Sequence, residues 1–132
     1  MKNEACGLLI MCGNELLLLK RSKFGDFPHT WDLPGGCVEP DEAMNEAIER
    51  EVKEETNLDT TQNEYVGKSN PSKDFTFHYF LRRVNTKPEI KLNHEHTTHG
   101  WFNIRKLPQD IHPKLGEYLV NNGCFLELRT AK

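Results

Sequence analysis

The segment EREVKEET, residues 49–56, places four glutamates in eight positions. On a helix turning about 100° per residue, Met44, Ala47, Ile48, Glu51 and Glu55 fall within one arc of roughly 100°, so the stripe begins apolar and ends acidic. Glu54 lies at its edge, and Glu51, Glu54 and Glu55, at i, i+3 and i+4, project from neighbouring positions. This placement is costly for bare carboxylates. A helix C-terminus carries partial negative charge, like charges at this spacing repel, and partial burial penalises ionisation. A hard divalent cation reverses the balance, because Mg²⁺ takes oxygen ligands from few carboxylates and keeps waters and substrate phosphates in its other positions. The residue types therefore point to a metal platform; a solvated acidic helix end is the alternative that charge alone leaves open. On the opposite side Glu42, Glu46, Glu49 and Lys53 read as a solvated face, with Glu49 and Lys53 spaced as an exposed ion pair.

A helix bearing that stripe needs a start and a stop. Pro40, Asp41 and Glu42, following Pro34, Gly35 and Gly36, give a start signal, and the helix is expected to run to about Thr56. Ahead of it, apolar runs at residues 8–11 and 16–19 flank Gly13 and Asn14 and read as the buried strands of a hairpin. Residues 22–30, with Gly25 and Pro28, read as a loop leading into a short extended piece at 31–33. Past the helix, residues 64–68 and 74–84 look like strands, the second alternating through Phe75, Phe77, Tyr79 and Leu81. Ile90 and Leu92 suggest a short strand, NHEHTTHG a His-rich loop, and residues 101–104 another strand. A second helix is expected over 113–121, ending near Gly123, with a last strand at 125–128. Strands around two helices predict a mixed sheet covered by helices.

A chain of 132 residues is the usual size of one domain and can bury a core without disulfides or a structural metal. The net charge of -3, from 17 basic and 20 acidic residues, argues against a broad nucleic-acid surface, so no stable nucleic-acid binding is expected. No apolar run reaches the length of about 18 residues that a membrane span needs. The first twenty residues are broken by Glu4, Gly13, Asn14 and Glu15 and read as strand, turn and strand rather than a secretion signal, which predicts a cytoplasmic protein. Cys6, Cys12, Cys37 and Cys124 have neither paired spacing nor companion histidines and are expected to be free thiols. A monomer and a homodimer are equally compatible with the chain.

Residues 36–58, GCVEPDEAMNEAIEREVKEETNL, carry Glu42, then Arg50 and Glu51, Val52, Glu54 and Glu55, and finally Leu58. This resembles the Nudix box, G-x5-E-x7-R-E-U-x-E-E-x-G-U with U aliphatic, at every defined position except one. Asn57 stands where the pattern has glycine, and Asn is the residue that best tolerates the left-handed backbone glycine serves there. The preceding WDLPGG and the later EHTTHGWF, residues 95–102, resemble the family's flanking patterns, the latter one in which a loop glutamate precedes a strand tryptophan. The resemblance implies an α+β fold, an α/β/α sandwich with a central mixed sheet, as one domain over residues 1–132. It implies hydrolysis of a nucleoside diphosphate linked to another moiety, MutT-like cleavage of a (deoxy)nucleoside triphosphate to monophosphate and pyrophosphate among the reactions. Nucleotide sugars, ADP-ribose and diadenosine polyphosphates are alternative substrates, and a non-catalytic nucleotide-binding module is the alternative function.

The resemblance also implies roles. Glu51 and Glu55 would hold Mg²⁺ or Mn²⁺, Glu54 would join them or hold a bridging water, and the Gly35 carbonyl would add an oxygen, with Gly35 and Gly36 letting the backbone approach the ion. The proton of the attacking water would pass to Glu51, Glu54 or Glu95, and Glu95 is alternatively a metal ligand. Arg50, grouped with the catalytic residues, would pair with the supporting Glu42 and orient the ligand glutamates. Lys20 and Arg21 would contact substrate phosphate, Arg21 through its forked donors. Phe27 and Trp31, with Phe24 and His29, would stack on a base or complete a core. His94, His96 and His99 lack a metal-binding arrangement and are expected to be surface histidines.

Overall fold

Two leucine-rich runs become strands buried on both sides. In the computed structural model, which describes residues 3–127, they are β1 (Asn3–Cys12) and β2 (Glu15–Arg21), joined across Gly13, whose φ of 61° suits a residue without a side chain. Leu8 and Ile10 of β1 and Leu17 and Leu19 of β2 face one core; Leu9, Met11, Leu16 and Leu18 face the other. Burial on both faces is why these runs show no polar alternation.

The chain continues through β3 (Trp31–Asp32), β4 (Gly35–Cys37), α1 (Met44–Thr56), β5 (Glu64–Ser72), β6 (Phe75–Val84), β7 (His96–Asn103), α2 (Pro113–Asn122) and a 3-10 turn, Gly123–Leu126. The seven strands form one mixed sheet, in which β1 runs parallel to β6 and the other pairings are antiparallel. The β1–β2 pairing is confined to Met11↔Leu16 and Cys12↔Glu15. Beyond it β1 takes β4, with Cys6↔Gly36 and Gly7↔Gly35, while β2 takes β3 and β7. The strands therefore part at the end of the sheet that carries Gly35, Gly36 and Asp32.

Helix α1 lays Ala47, Ile48 and Val52 on the core that contains Leu8, Ile10 and Phe80. Helix α2 lays Leu115, Tyr118 and Leu119 on the opposite core. The result is the α/β/α arrangement of an α+β protein. Asn57 ends α1 in the left-handed conformation, φ 66° and ψ 17°, and its N–H donates to the Lys53 carbonyl at 2.9 Å. This is the αL cap that glycine usually supplies.

Several boundaries differ from the sequence-based expectations. Residues 40–43 form the approach to α1 rather than its first turn; Ala43 is the N-cap, and its N–H donates to Glu46 Oε1 at 3.0 Å. Lys53 pairs with Asp59 at 3.1 Å and not with Glu49. Residues 90–92 are irregular: Ile90 and Leu92 pack on the α1 core, and the Lys91 N–H goes to the Thr56 carbonyl at 3.0 Å, so apolar alternation here reflects packing without a ladder. The expected His-rich loop is largely β7, paired with β2 from Arg21↔His96 to Glu15↔Asn103. The last expected strand is instead the 3-10 turn as far as Leu126, and Leu128 lies outside the described residues. The four cysteines are free. Among the described residues no helix is long and apolar enough to cross a membrane.

Candidate active site

Where β1 and β2 part, a cleft of about 930 Å³ opens, lined by Gly35, Gly36, Glu51, Glu55 and Glu95 at its acidic part. Beta-strand pairing brings the two glycines to α1, and α1 turns Glu51 and Glu55 toward them. The Gly35 N–H donates to Glu55 Oε1 at 2.9 Å. A Cβ on Gly36 would run into the Glu51 carboxylate, so only a bare backbone lets that side chain lie where it does.

Glu55 is 3% exposed. Burial first, then a hydrogen bond with the Glu95 carboxyl and the charges of Glu95 and Glu51, pushes its carboxyl up to about 10, against the single stabilising N–H of Gly35. Glu51 is also raised, by burial, with Arg50 opposing and Glu54 and Glu95 reinforcing. Three carboxyl groups that repel one another, two of them desolvated, share this end of the cleft.

Arg50 organises the other side of the acidic cluster. Its Nε donates to Glu42 Oε2 at 2.6 Å and its Nη2 to Glu42 Oε1 at 3.0 Å, a bidentate pair made possible because Glu42 lies ahead of the helix. Nη1 donates to Glu51 Oε1 at 2.9 Å and to Glu54 at 3.3 Å, and Nη2 also reaches the Cys37 carbonyl at 3.1 Å. Arg50 thereby holds Glu42 down at about 2 and ties α1 to β4. Lysine cannot make this set of contacts from one planar fork. Arg50→Lys is expected to lower kcat about 10- to 100-fold, the usual effect of removing an orienting partner. Steady-state rates with a parallel thermal melt check this; a wild-type kcat would remove Arg50 from the orienting role.

The three helix glutamates do not share one environment. Glu54 is exposed, bound to Arg50 and outside the cleft lining, whereas Glu55 is buried. Among the described residues, no three carboxylate, imidazole or thiol side chains are grouped as a ready-made metal cage. Arg50 accounts for part of this, standing between Glu51 and Glu54. The donor set still fits a hard cation: every group is an oxygen, and a buried carboxyl sharing a hydrogen bond with a second carboxyl is a position where a proton now does what a metal ion would do.

The remaining sequence-derived candidates separate. Arg21 and Phe27 line the cleft; Lys20 and Trp31 do not. Lys20 lies 4.0 Å from Asp110 and over the Trp31 ring at 5.6 Å, and Trp31 packs edge-on against Phe102 in the α2 core. His96 is not a surface histidine: it lines the cleft, its Nδ1 is buried without a partner, and burial lowers it to about 4. Asp32 and His112 also reach the cleft without having been singled out in the sequence. Burial raises Asp32, against the charges of His112 and Arg21, and burial lowers His112. Their one sequence signal is Asp32 beside the Pro34-Gly35-Gly36 turn; nothing marks His112.

A family model described as NUDIX domain matches residues 1–121. The chain belongs to the Nudix family. This Nudix chain is 31% identical over 111 residues to the bis(5'-nucleosyl)-tetraphosphatase (asymmetrical) of Caenorhabditis elegans, covering 76% of this chain and 79% of the relative. It is 36% identical over 63 residues to the CTP pyrophosphohydrolase of Escherichia coli (strain K12), where the match covers 48% of this chain and spans 47% of the relative, about half its length. Among solved structures, the MutT protein of Methanosarcina mazei Go1 superposes with a TM-score of 0.79 at 27% identity, covering 91% of each chain. The chain is a Nudix hydrolase, of the kind that acts on phosphoric anhydride bonds. Nudix hydrolases typically use divalent metal ions.

Proposed function

We propose that this Nudix hydrolase is a Mg²⁺-dependent pyrophosphohydrolase that cleaves a nucleoside triphosphate to the monophosphate and pyrophosphate, with Mn²⁺ able to replace Mg²⁺. The observation that carries the reading is the convergence of Glu51, Glu55 and Glu95 on the Gly35–Gly36 backbone at the acidic part of a cleft whose remainder includes Phe27, Phe77 and His112. One part suits a cation and polyphosphate, the other a base. Glu51, Glu55 and the Gly35 carbonyl would hold the ion, with Glu54, paired to Arg50 outside the cleft lining, left to a bridging water. Bound there, a divalent cation neutralises phosphate charge and acidifies water. Glu95 is the favoured proton acceptor, because it lines the cleft and is free of Arg50, whereas Glu54 is held outside it. Arg50, paired with Glu42 and bound to the Cys37 carbonyl, fixes the position of α1 against β4, so that the Glu51 and Glu55 carboxyl groups stand ready for the cation without further rearrangement.

Dinucleoside polyphosphate hydrolysis is the second reading, favoured by the match to the C. elegans tetraphosphatase. Both are tested by incubating the protein and Mg²⁺ with nucleoside triphosphates, dinucleoside polyphosphates, ADP-ribose and nucleotide sugars, and separating the products. Pyrophosphate with monophosphate supports the first reading. Nucleotide binding without turnover of any compound would make the chain a binding module.

The Glu55 carboxyl gives a pH-linked test. Its folded pKa of about 10 lies above the ordinary value of 4.5, so between these limits the folded chain keeps a proton that the unfolded chain gives up. Without metal, this contribution to stability is complete below pH 4.5 and is lost as pH rises toward 10. A cation requires the ionised form, so its binding expels the proton and becomes more favourable with pH. The thermal shift produced by Mg²⁺ over EDTA is expected to grow from pH 6 to pH 9. A shift that stays constant across that range would remove Glu55 from the ion's ligands.

A further inference from the structure

Arg21 was expected to contact phosphate, yet two of its nitrogens are committed elsewhere. Nε donates to the Asp26 carbonyl at 2.9 Å, and Nη1 donates to Asp32 Oδ2 at 3.2 Å. The first contact fixes the 22–30 loop, which carries Phe27. The second fixes Asp32, whose Oδ1 also accepts the Leu33 N–H at 2.8 Å. An ionised carboxylate offers about four acceptor positions. Two are filled, one on each oxygen, and no other hydrogen bond to the Asp32 carboxylate is present among the described residues. Its side chain is only 18% exposed, and it lines the cleft. A desolvated carboxylate with one unspent acceptor position on each oxygen is matched by a ligand presenting two adjacent donors.

The surroundings indicate which ligand. Phe27 lies against His112 with ring centroids 4.3 Å apart, and Phe77, Tyr79 and Leu115 also line the cleft. Flat apolar faces beside a carboxylate suit a nucleobase read along its edge. Guanine presents a ring N–H next to an exocyclic amino group, two donors side by side. Adenine and cytosine place a ring acceptor next to the amino group, and uracil flanks its single N–H with two carbonyls.

We propose that Asp32, positioned by Arg21, selects the base, accepting two hydrogen bonds from a guanine-type edge while Phe27 and His112 border the ring. The inference rests on the nucleotide-hydrolase reading for its substrate but concerns a different part of the cleft. Arg21 is then a positioning residue and not a phosphate contact.

The test is kcat/KM for GTP, ITP and ATP in the wild type and in Asp32→Asn, each divided by the value for ribose 5-triphosphate, which has no base. ITP lacks only the exocyclic amino group. Leaving one charged oxygen unpaired should make the wild type prefer GTP to ITP by roughly ten- to a hundredfold. In Asp32→Asn that preference should fall to within about threefold and ATP should gain, because an amide pairs a donor with an acceptor as adenine does. Equal wild-type values for GTP and ITP overturn the proposal. Loss on 2',3'-dideoxy-GTP with no GTP–ITP difference assigns Asp32 to the sugar hydroxyls and overturns it as well. If Asp32 merely anchors Arg21, Asn lowers all three nucleotides by one common factor, a third contrary result. Calorimetric binding of GMP, IMP and AMP separates the two readings: if nothing is hydrolysed but GMP binds tenfold or more tighter than IMP, the base-selecting role stands and the hydrolase reading falls. Equal or absent binding of the monophosphates overturns the role of Asp32.

Discussion

Glu55→Gln is expected to lower kcat by on the order of 10²–10³ at saturating nucleotide and Mg²⁺, an effect of the size seen when one group stabilising transition-state charge is removed. In metal-free buffer at pH 7 its melting temperature should stay within about 2 °C of wild type, well under the shift produced by 1 kcal/mol in a domain of this size. The two halves of the prediction have one cause. Glu55 is buried and its pKa stands at about 10, so near neutrality and without metal it is an uncharged acid. Glutamine has the same shape and the same charge, and its carbonyl oxygen can still accept the Gly35 N–H, now held at 2.9 Å. Folding therefore loses little. What the amide cannot do is ionise, and a divalent cation needs the carboxylate. The Mg²⁺-induced thermal shift should shrink in the same variant and lose its rise with pH. A near-normal kcat, or a melt lowered by more than about 5 °C, would mean that the buried carboxyl serves packing and not the cation.

The same residues show how much of the site could be read along the chain. The apolar stripe of α1 was legible because Ala47, Ile48 and the glutamates repeat at helical spacing, and the hairpin because two leucine runs flank a Gly-Asn pair. The start of β7 was not, since its first four residues, His96, Thr97, Thr98 and His99, are polar and mostly exposed, and their strand character comes from pairing with β2. Nor could helical spacing foresee that Glu42 reaches Arg50, because the contact depends on Glu42 lying in the turn before the helix. Glu51, Glu54 and Glu55 look equivalent on a wheel; a neighbouring backbone, β4, makes Glu55 interior and leaves Glu54 to solvent and Arg50. Asp32 and His112 are eighty positions apart, and their meeting is a property of topology alone.

Gly35→Ala tests that dependence of chemistry on the sheet. A Cβ at this position would overlap the Cys6 carbonyl oxygen and stand 2.7 Å from the Gly7 Cα. Both obstacles are backbone of β1, which is held from one side by β4 and from the other by a ten-residue parallel ladder with β6, so neither can rotate away as a side chain would. The relief available is to push β4 off β1. That movement costs about 1–3 kcal/mol by the usual range for overpacking, and a melting temperature lowered by roughly 5–10 °C is expected. It also withdraws the Gly35 N–H from Glu55 and carries Gly36 away from Glu51. Activity should consequently fall at least as far as in Glu55→Gln, but with the fold weakened, and Mg²⁺ should recover little of either. Circular dichroism melts and initial rates on the two variants in parallel separate the effects. If Gly35→Ala melted within 2 °C of wild type, β4 would be free to shift without cost, and the close approach of glycine backbone to the acidic helix would not be what shapes the site.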